Sequence, residues 1–441
     1  MNNLNYKPLR EFCSEGRGIS YGIVQPGQNL NAGVPIVRVN NFSNGVLNIS
    51  DAMKVSPEIE AKFARTRVQT GDVLITLVGS IGQVAVAPEE ISGWNLARAV
   101  GLVPMPDAET ARWVAFALSA PFSQNYIRER ANTTVQATFN LKDLAELPIP
   151  NPSNAAKKSI LEILKPLDDK IEINRKMNET LEGMARAVFR DWFVDFGPTR
   201  RKMAGEVDPV KILGGAITAS PQAQKTAALF PDTLGENGLP EGWEEKPFSV
   251  LVEIIGGGTP KTKIKEYWGG DIPWFSVVDT PSGSDTFVFG TQKQITQAGL
   301  KNSSAKLIEV GTTIISARGT VGNLAIAGEN MTFNQSCYAL KGENRIGQAF
   351  TYLGAQRLVL DLQRMAHGAV FSTITRSTFS GVEFAFPPEG LCNDFEKFMR
   401  PLFEKIKTNV EENQTLAEMR DLLLPKLMSG EIRLKNRKDV E

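Results

Sequence analysis

The stretch PLDDKIEINRKMNETLEGM, from Pro166 to Met184, returns later in the chain as PLFEKIKTNVEENQTLAEM, from Pro401 to Met419. The two copies lie at a constant offset of 235 residues and share nine identical positions. A register kept over that length indicates an internal duplication. It predicts that whatever structure precedes the first copy is built again before the second.

The duplication extends upstream of these stretches. GDVLITLVGSIGQVAV, from Gly71 to Val86, corresponds to GTTIISARGTVGNLAI, from Gly311 to Ile326, and VPIVRVNN from Val34 corresponds to IPWFSVVD from Ile272. The offsets drift by a few residues, as expected when small insertions fall in the loops between fixed elements. The chain is therefore predicted to hold two globular domains, each followed by a long helix.

Apolar residues recur around both copies with a 4,3,4 spacing, which keeps one stripe on a helix of about 3.5 residues per turn. Two asparagines interrupt each stripe at matched places, and a buried asparagine in such a seam fixes register at a cost in stability. We therefore expect the helices to pair with each other. The predicted helix-pairing residues are Leu167, Ile171, Asn174, Asn178, Leu181, Leu402, Ile406, Asn409, Asn413 and Leu416.

An alternative is that each stripe packs on its own domain and the asparagines are inherited from the duplication. Pro166 and Pro401 lie inside the pattern, so the long helix is predicted either to begin or to bend there. A helix from Pro166 to Trp192 would span about 40 Å and act as a rigid spacer.

The two globular regions are predicted to be rich in strands, because short apolar runs such as DVLITLV and TTIISA are bounded by Gly, Pro and Asn. Helices are predicted over 108–130 and 347–365. The predicted domain boundaries are 1–152, 153–196 for the first spacer helix, 197–238 for a linker, 239–388, 389–432 for the second spacer helix, and 433–441 for a tail.

The bulk composition excludes few classes of function. The chain has 441 residues, is 42% hydrophobic and has a formal net charge of zero, and neither half is strongly basic. The three cysteines lie far apart without disulfide or metal spacing, which predicts a reducing, cytoplasmic location. The first residues lack the pattern of a signal peptide, and no apolar run approaches the ~20 residues of a membrane span.

Motifs of catalysis are missing from the sequence. A single histidine, His367, makes a histidine-based triad or a histidine-rich metal site improbable, so no catalytic residue and no metal ligand are predicted. GGGTPKT, from Gly256 to Thr262, resembles a phosphate loop, but Pro260 occupies the place of a required glycine, which favours a turn at a strand end. GSIG from Gly79 and GTVG from Gly319 are predicted to be turns that present backbone N–H groups.

Several of these segments resemble one protein family, the specificity subunit of type I restriction-modification enzymes. The resemblance rests on LPIPNP from Leu147, ILKPLDDKIEINRKMNETLEGMARAVFRDWFVDFGP from Ile163, the opening of the second domain from Leu239 to Asp279, and LLLPKLMSGEIRL from Leu422. It covers nearly the whole chain. The resemblance implies an α+β protein with two target-recognition domains, each followed by a long helix, the helices pairing as an antiparallel coiled coil.

The resemblance also implies a function. The chain would be a non-catalytic, sequence-specific DNA-binding subunit that reads a bipartite target in double-stranded DNA, one half-site per domain. Its partners would be two modification subunits, which methylate adenine, and restriction subunits. S-adenosylmethionine, ATP and magnesium would belong to those partners, with no cofactor in this chain. The alternatives are a coiled-coil adaptor that does not read DNA, and a self-contained restriction or methylation enzyme.

Polar side chains at predicted strand ends and glycine-rich turns are the candidate contacts to phosphates and base edges. In the first domain they are Arg17, Tyr21, Arg38, Asn40, Asn41, Ser80 and Arg98; in the second they are Thr259, Lys261, Lys263, Ser276, Arg318, Thr320 and Arg376. The matched places of the asparagines allow Asn174 to pair with Asn409. If the helices run antiparallel, as the resemblance implies, Asn174 would instead face Asn413 and Asn178 would face Asn409.

Overall fold

A computed structural model describes residues 5–43, 46–49, 52–131, 137–215, 217–281, 285–343, 346–365, 373–432 and 434. The chain divides into two compact units. The first unit comprises 1–172 together with 414–441, and the second unit comprises 173–413. The first unit therefore contains both ends of the chain, whereas the second is one continuous segment.

The first unit begins with eleven short strands among its described residues. They are β1 Tyr6–Pro8, β2 Ser20–Tyr21, β3 Val34–Val37, β4 Phe42–Ser43, β5 Val46–Leu47, β6 Met53–Val55, β7 Val73–Thr76, β8 Val84–Val86, β9 Asn95–Leu96, β10 Val100–Val103 and β11 Pro148–Pro150. The helices are α1 Pro57–Ala61, α2 Ala108–Ser119, α3 Pro121–Arg130, α4 Leu141–Ala145 and the long α5 Asn154–Phe193, which continues into the second unit.

These strands form two principal sheets. One has the order β2-β10-β7-β8 and is antiparallel throughout, and the other has the order β6-β3-β9, in which β3 and β9 run parallel. Strand β1 pairs with β11, and β4 pairs with β5. All four residues of β7 are buried because both faces of its sheet are covered. Val73 and Ile75 lie in the larger apolar core beneath α2, and Leu74 lies in a smaller core on the other face, as strand alternation requires.

The second unit opens with short helices and then repeats the same kind of fold. Its helices are α6 Gly197–Met203, α7 Pro209–Ile212, α8 Pro221–Ala228, α9 Phe248–Leu251, α10 Gln297–Lys301, α11 Gln348–Met365, α12 Arg376–Ser380 and the long α13 Glu389–Met428, whose end belongs to the first unit. Its strands are β12 Glu244–Pro247, β13 Val252–Gly256, β14 Trp268–Phe275, β15 Phe287–Val288, β16 Gln294–Ile295, β17 Thr313–Ser316, β18 Leu324–Ala327, β19 Thr332–Phe333, β20 Cys337–Gly342 and β21 Glu383–Phe386.

The sheets of the second unit reproduce those of the first. The order β13-β20-β17-β18 matches β2-β10-β7-β8, with β15 added at the edge, and β16-β14-β19 matches β6-β3-β9. The parallel pair recurs as β14 with β19. Strand β12 pairs with β21 as β1 pairs with β11. The duplication read from the sequence is therefore a duplication of topology.

The two long helices pair antiparallel, as the sequence analysis expected. In the second unit Asn174 contacts Asn413 and Asn178 contacts Asn409, so residue numbers rise on one helix as they fall on the other. In the first unit the Arg420 guanidinium bonds Asp168 at 2.9 Å, which continues the same register. The chain is thus an α+β protein in which two strand-rich domains are each followed by a long helix, and this fold class is confirmed.

Three expectations about helices differ from the structure. Helix α5 begins at Asn154, so Pro166 lies inside it and does not mark its start. The helix expected over 108–130 is two helices, because Ala120 adopts an extended conformation and Pro121 opens α3. A proline at the first helical position has a preset φ and needs no N–H bond there, so it starts a new helix more readily than it continues an old one.

The third difference concerns the segment expected to be a linker, 197–238. It contains α6, α7 and α8, and Ile212, Leu213, Ala227 and Phe230 are buried in the core of the second unit. Short helices with polar caps bury apolar residues at irregular intervals, so their sequences contain no long periodic pattern that would predict a helix. Trp192 and Phe193, at the end of α5, lie in this same aromatic core, where Trp192 contacts Phe230 and Phe395.

Candidate nucleic-acid interface

Three chain segments meet where the parallel strands of the first unit end. The Ile23 amide donates to the Leu96 carbonyl at 2.6 Å, the Ala97 amide donates to Val37 at 2.9 Å, and the Arg98 amide donates to Ile23 at 2.8 Å. We call residues 21–24, 37–41 and 96–98 the first junction. A Cβ atom at Gly22 would lie 1.8 Å from the Leu96 carbonyl oxygen, so only glycine permits this approach.

The second unit builds the same arrangement, which we call the second junction: residues 256–259, 275–279 and 333–335. The Gly258 amide donates to Phe333 at 2.9 Å and the Asn334 amide donates to Phe275 at 2.8 Å. Here a Cβ atom at Gly257 would lie 2.1 Å from the Asn334 carbonyl oxygen. The glycine and the backbone bonds correspond in the two units, so each domain presents side chains from equivalent positions.

A single 3-10 turn follows the longer parallel strand in each junction, and its side chains hold it in place. The side-chain oxygen of Asn41 accepts from the Arg38 backbone amide at 2.8 Å, and the side-chain amide of Asn41 donates to the Asn48 carbonyl at 2.9 Å. In the second junction Asp279 accepts from both the amide and the hydroxyl of Ser276 at 2.8 Å. Asn41 is buried, so its amide serves the turn and is not available to DNA, contrary to expectation.

The first junction contains five of the predicted contact residues, four of them besides the buried Asn41. Tyr21, on β2, and Arg98, between β9 and β10, are exposed, and the Arg98 amide bonds the Ile23 carbonyl just after β2. Arg38 and Asn40 follow β3, which pairs with β9. Ser80 is exposed too, but it lies in the separate turn between β7 and β8. The register of the sheets, which the sequence alone does not show, decides which of these residues become neighbours.

Arg17 was predicted to contact DNA, but its side chain is bound within the fold. Its guanidinium makes two bonds of 2.8 Å to the carboxylate of Asp72, whose side chain is 1% exposed, and further bonds to Gln69 and the Arg67 carbonyl. A bidentate pair of this kind holds the arginine in the fold. The partner lies 55 residues away in sequence, so no local pattern reveals it.

In the second unit the predicted residues are more dispersed. Thr259 and Ser276 belong to the second junction, and the exposed Lys261 and Lys263 follow it directly. Arg318 and Thr320 are exposed in the turn between β17 and β18. Arg376, at the start of α12, donates to the Ile254 carbonyl at 2.7 Å, so part of its guanidinium is committed to the fold.

The turns GSIG and GTVG have one geometry. Gly79 and Gly82 have φ values of 77° and 86°, and Gly319 and Gly322 have values of 81° and 89°. In each turn a hydroxyl at the end of the preceding strand, that of Thr76 or Ser316, donates to a carbonyl of the turn. The Gly82 amide donates to the Thr76 carbonyl at 2.9 Å, so this N–H is used within the turn. The expectation that the turn presents its backbone N–H groups is therefore wrong for Gly82.

One exposed residue of the second junction escaped the sequence analysis. Gln335 lies two positions after β19, as Arg98 lies two positions after β9, and the Thr259 hydroxyl donates to its side-chain carbonyl oxygen. An offset of 237 between Arg98 and Gln335, close to that of the other repeat segments, is the signal that could have found it.

Four buried asparagines make polar contacts between α5 and α13. Asn174 donates to the Asn413 side-chain oxygen at 2.9 Å and to Glu412 at 2.8 Å, while Asn409 donates to the Asn178 side-chain oxygen at 2.8 Å. Of the predicted apolar pairing residues, Ile171 and Ile406 are buried, and Leu167, Leu181, Leu402 and Leu416 are half-buried.

A polar cluster ties α5 to α11 within the second unit. Glu182, largely buried, accepts from the Gln356 amide at 2.6 Å, from Arg186 at 3.0 Å and from the Tyr352 hydroxyl at 3.3 Å. Burial, helped by the negative charge of Glu182, raises the pKa of the Tyr352 phenol above its usual range. The hydroxyl therefore stays protonated and keeps its role as a donor.

Nothing in the described part of the chain suggests bound metal or a reactive thiol. Those residues include no group of three or more His, Cys, Asp and Glu side chains placed to hold a metal ion, and His367 lies outside them. Burial raises the pKa of the Cys337 thiol to about 12 and that of Cys13 to about 11. None of the described helices is both long and apolar enough to span a membrane.

The chain matches the family described as the type I restriction modification DNA specificity domain, over residues 14–183 and again over 240–416. It belongs to this family. The two matched ranges coincide with the two copies of the repeated fold, each extended into its long helix. Membership confirms the resemblance found in the sequence, and it supports the type I specificity subunit over an adaptor or a self-contained enzyme.

Relatives of this specificity protein include the HindI specificity subunit of Haemophilus influenzae, which is 32% identical over 336 residues, covering 69% of this chain and 72% of the relative. The MjaIX specificity subunit of Methanocaldococcus jannaschii is 23% identical over 380 residues, covering 82% and 78%. A crystal structure of a type I restriction-modification S subunit from M. genitalium aligns over 97% of both chains with 15% identity and a TM-score of 0.47.

Proposed function

We propose that this specificity protein binds a bipartite target in double-stranded DNA and reads one half-site with each domain. The observation that carries the proposal is the repeated junction, in which a glycine permits the close approach of three segments, and polar side chains lie at the same strand end of both domains. Exposed arginine, tyrosine, amide and hydroxyl groups are those that contact phosphates and base edges.

The exposed cations beside the junctions would supply the part of the affinity that does not depend on sequence. Lys261 and Lys263, which follow the second junction, are exposed. Neutralising phosphates with such groups releases counterions, so binding weakens as salt rises. A net charge of zero is compatible with this role, because local cations and not the net charge meet the DNA backbone.

A salt-dependent gel shift on duplex DNA tests the proposal. The full chain is mixed with duplexes carrying randomised sequence, with and without modification subunits, at several salt concentrations. We expect a complex that weakens with salt and selects two short sequences a fixed distance apart. A chain that binds no duplex, or binds every duplex equally in both conditions, would instead be a structural adaptor.

We further propose that the chain is non-catalytic and holds two adenine-methylating modification subunits and the restriction subunits on the bipartite site. The naming of its relatives as specificity subunits of restriction enzymes supports a division of labour between chains. S-adenosylmethionine, ATP and magnesium are accordingly assigned to the partners. The wide spacing of the three cysteines supports a location in the reducing cytoplasm.

Catalysis by the isolated chain can be measured directly. Purified chain is incubated with duplex DNA, magnesium, ATP and labelled S-adenosylmethionine. We expect neither label nor nicks in the DNA above a blank, and both activities on adding the partner subunits. Methyl transfer by the chain alone would assign the chemistry to one of its own domains.

A further inference from the structure

We propose that the residue two positions after the shorter parallel strand reads a base pair in each half-site: Arg98 a guanine in the first, and Gln335 an adenine in the second. This inference rests on the proposed function, because it requires duplex DNA at both junctions. It names which exposed residue of each junction carries sequence information.

The positions of Arg98 and Gln335 are equivalent by backbone geometry. Strand β9 ends at Leu96 and β19 ends at Phe333, and the residue after each strand donates its amide to the neighbouring parallel strand, at 2.9 Å and 2.8 Å. The preceding glycine makes the same close approach in both units. Two domains that differ in their targets would be expected to differ in side chain at a position whose backbone they share.

The chemistry of the two side chains differs in the way that base recognition requires. A guanidinium donates two hydrogen bonds to the O6 and N7 acceptors of guanine, whereas a side-chain amide accepts from N6 and donates to N7 of adenine. Arg98 is exposed, and its guanidinium makes no hydrogen bond or ion pair to any other residue that the structure describes. Its donors are therefore available to a base.

The side chain of Gln335 is held by a contact within the second junction. The Thr259 hydroxyl donates to the Gln335 side-chain carbonyl oxygen and so holds this end of the side chain within the second junction. A carbonyl oxygen has two lone pairs, so one remains for adenine N6, and the amide nitrogen remains as the donor to N7. Thr259 is thus a positioning residue for Gln335.

Neighbouring candidates fit a different role. Lys261 and Lys263 are exposed cations on flexible stems, which suit phosphates, and contacts to phosphates position a protein without reading sequence. Ser276 is committed to Asp279 in the turn. Within the second junction this leaves Gln335 as the exposed side chain with paired donor and acceptor groups.

Selection from a library of duplexes with both half-sites randomised tests the inference on the full-length chain. For Arg98→Gln we expect one base pair of one half-site to change from guanine to adenine while the other half-site is unchanged. Gln335→Arg should produce the reverse change in the other half-site. On the selected wild-type duplex, replacing that single base pair should weaken binding by about ten- to a hundredfold.

Matched controls separate base reading from general effects. Arg128→Gln and Gln297→Arg make the same chemical exchanges at exposed positions outside the junctions, and should leave both half-sites unchanged. Thr259→Val should reduce the discrimination for adenine, and Thr259→Ser, which keeps the hydroxyl, should restore it.

The outcomes are distinguishable. If wild-type chain selects no sequence, the proposed function fails, and the inference with it. If wild type selects two half-sites but folded Arg98→Gln and Gln335→Arg select the same ones, the inference is overturned. A folded variant that loses a whole half-site also overturns it, because its residue would then hold the complex and not read one base. If one of the two variants unfolds at a lower temperature than wild type, the result for the other variant decides the test.

Discussion

Two glycines decide whether the junctions can form. Gly22 and Gly257 lie where a backbone carbonyl approaches so closely that a Cβ atom would sit 1.8 Å or 2.1 Å from its oxygen. Neither has the positive φ that usually explains a glycine, so the reason is space and not backbone conformation. Any larger residue at either position would displace the end of a strand.

We expect Gly22→Ala and Gly257→Ala each to destabilise the protein by about 1–3 kcal/mol, as overpacking does, and to reduce DNA binding by the affected domain. Thermal unfolding and a gel shift measure the two effects. Gly18→Ala is the control, because a Cβ atom there meets nothing within 4 Å. Equal stability of Gly18→Ala and Gly22→Ala would contradict the steric account.

The asparagine pairs give a second prediction at this scale. Replacing Asn174 with Leu leaves the Asn413 side-chain oxygen buried without the donor it has now, at a cost of about 1–3 kcal/mol. Replacing both should recover part of the loss. Asn178 with Asn409 should behave alike, because the Asn409 amide bonds the Asn178 oxygen.

A double-mutant cycle followed by thermal unfolding measures the coupling free energy directly. Asn174 with Asn409 is the matched control pair, since the contacts join each of them to a different partner. Strictly additive effects in the bonded pairs would mean that the amides do not interact, and would remove the basis for a fixed register.

At the scale of elements, one helix caps another. The Glu396 carboxylate, on α13, accepts from the Ala349 amide at the start of α11, at 3.1 Å and 3.3 Å. Burial raises the pKa of Glu396 above its ordinary value of 4.5, although the backbone amides and Arg400 favour the charged form. The burial of the carboxylate, which raises its pKa, therefore outweighs the hydrogen bonds from the helix amides, which lower it.

This pKa shift predicts a pH dependence. A raised pKa in the folded state contributes stability that is complete below the ordinary, unfolded value and is lost as pH rises through the folded pKa. In Glu396→Gln, where an amide oxygen can still accept, we expect that decline to disappear. The measurement is the free energy of unfolding from acid to neutral pH. Parallel curves for the two proteins would show that Glu396 is not responsible.

The elements also show what sequence reasoning could reach. The long helices and their antiparallel partners follow from a periodic stripe and its matched asparagines. Helices α7 and α8 were missed although both have clear start signals: Asp208 and Ser220 cap them, and a proline follows each cap. Their lengths of four and eight residues are too short for a periodic pattern to appear.

For the candidate interface, the residue types were predictable but their neighbours were not. Arginine suits base edges, which predicts Arg98 as a contact, yet its place near Tyr21 depends on the bond from the Arg98 amide to Ile23 and on the pairing of β2 with β10. Arg17 was chosen for the same reason and is bound to Asp72. The two arginines differ in their contacts with segments that are distant in sequence. No single stretch of sequence shows those contacts.

At the scale of the whole molecule, the repeated topology predicts that the domains are exchangeable. Replacing residues 1–150 with the equivalent domain of a relative should change one half-site and preserve the other. The selection experiment on randomised duplexes reads out the result. The exchanged domain must fit Ile160, Leu161 and Leu164 of α5 and Leu424 of α13, which complete its core.

A hybrid that melts like wild type but has two altered half-sites would contradict separate reading. A matched control is the exchange of a domain from a relative with the same target, which should leave both half-sites unchanged.

The core of the first unit includes Leu424, Leu427 and Met428, close to the end of the second long helix. During synthesis the ribosome therefore releases residues 1–172 long before their apolar surface can be covered, while the continuous segment 173–413 already holds its own core. Domains tend to fold as units during synthesis, and exposed apolar surface favours aggregation. The first unit is thus synthesised first but completes its core last. A nascent chain stopped before residue 414 would contain the whole second unit, whereas the first unit would lack the helix turns that cover its core.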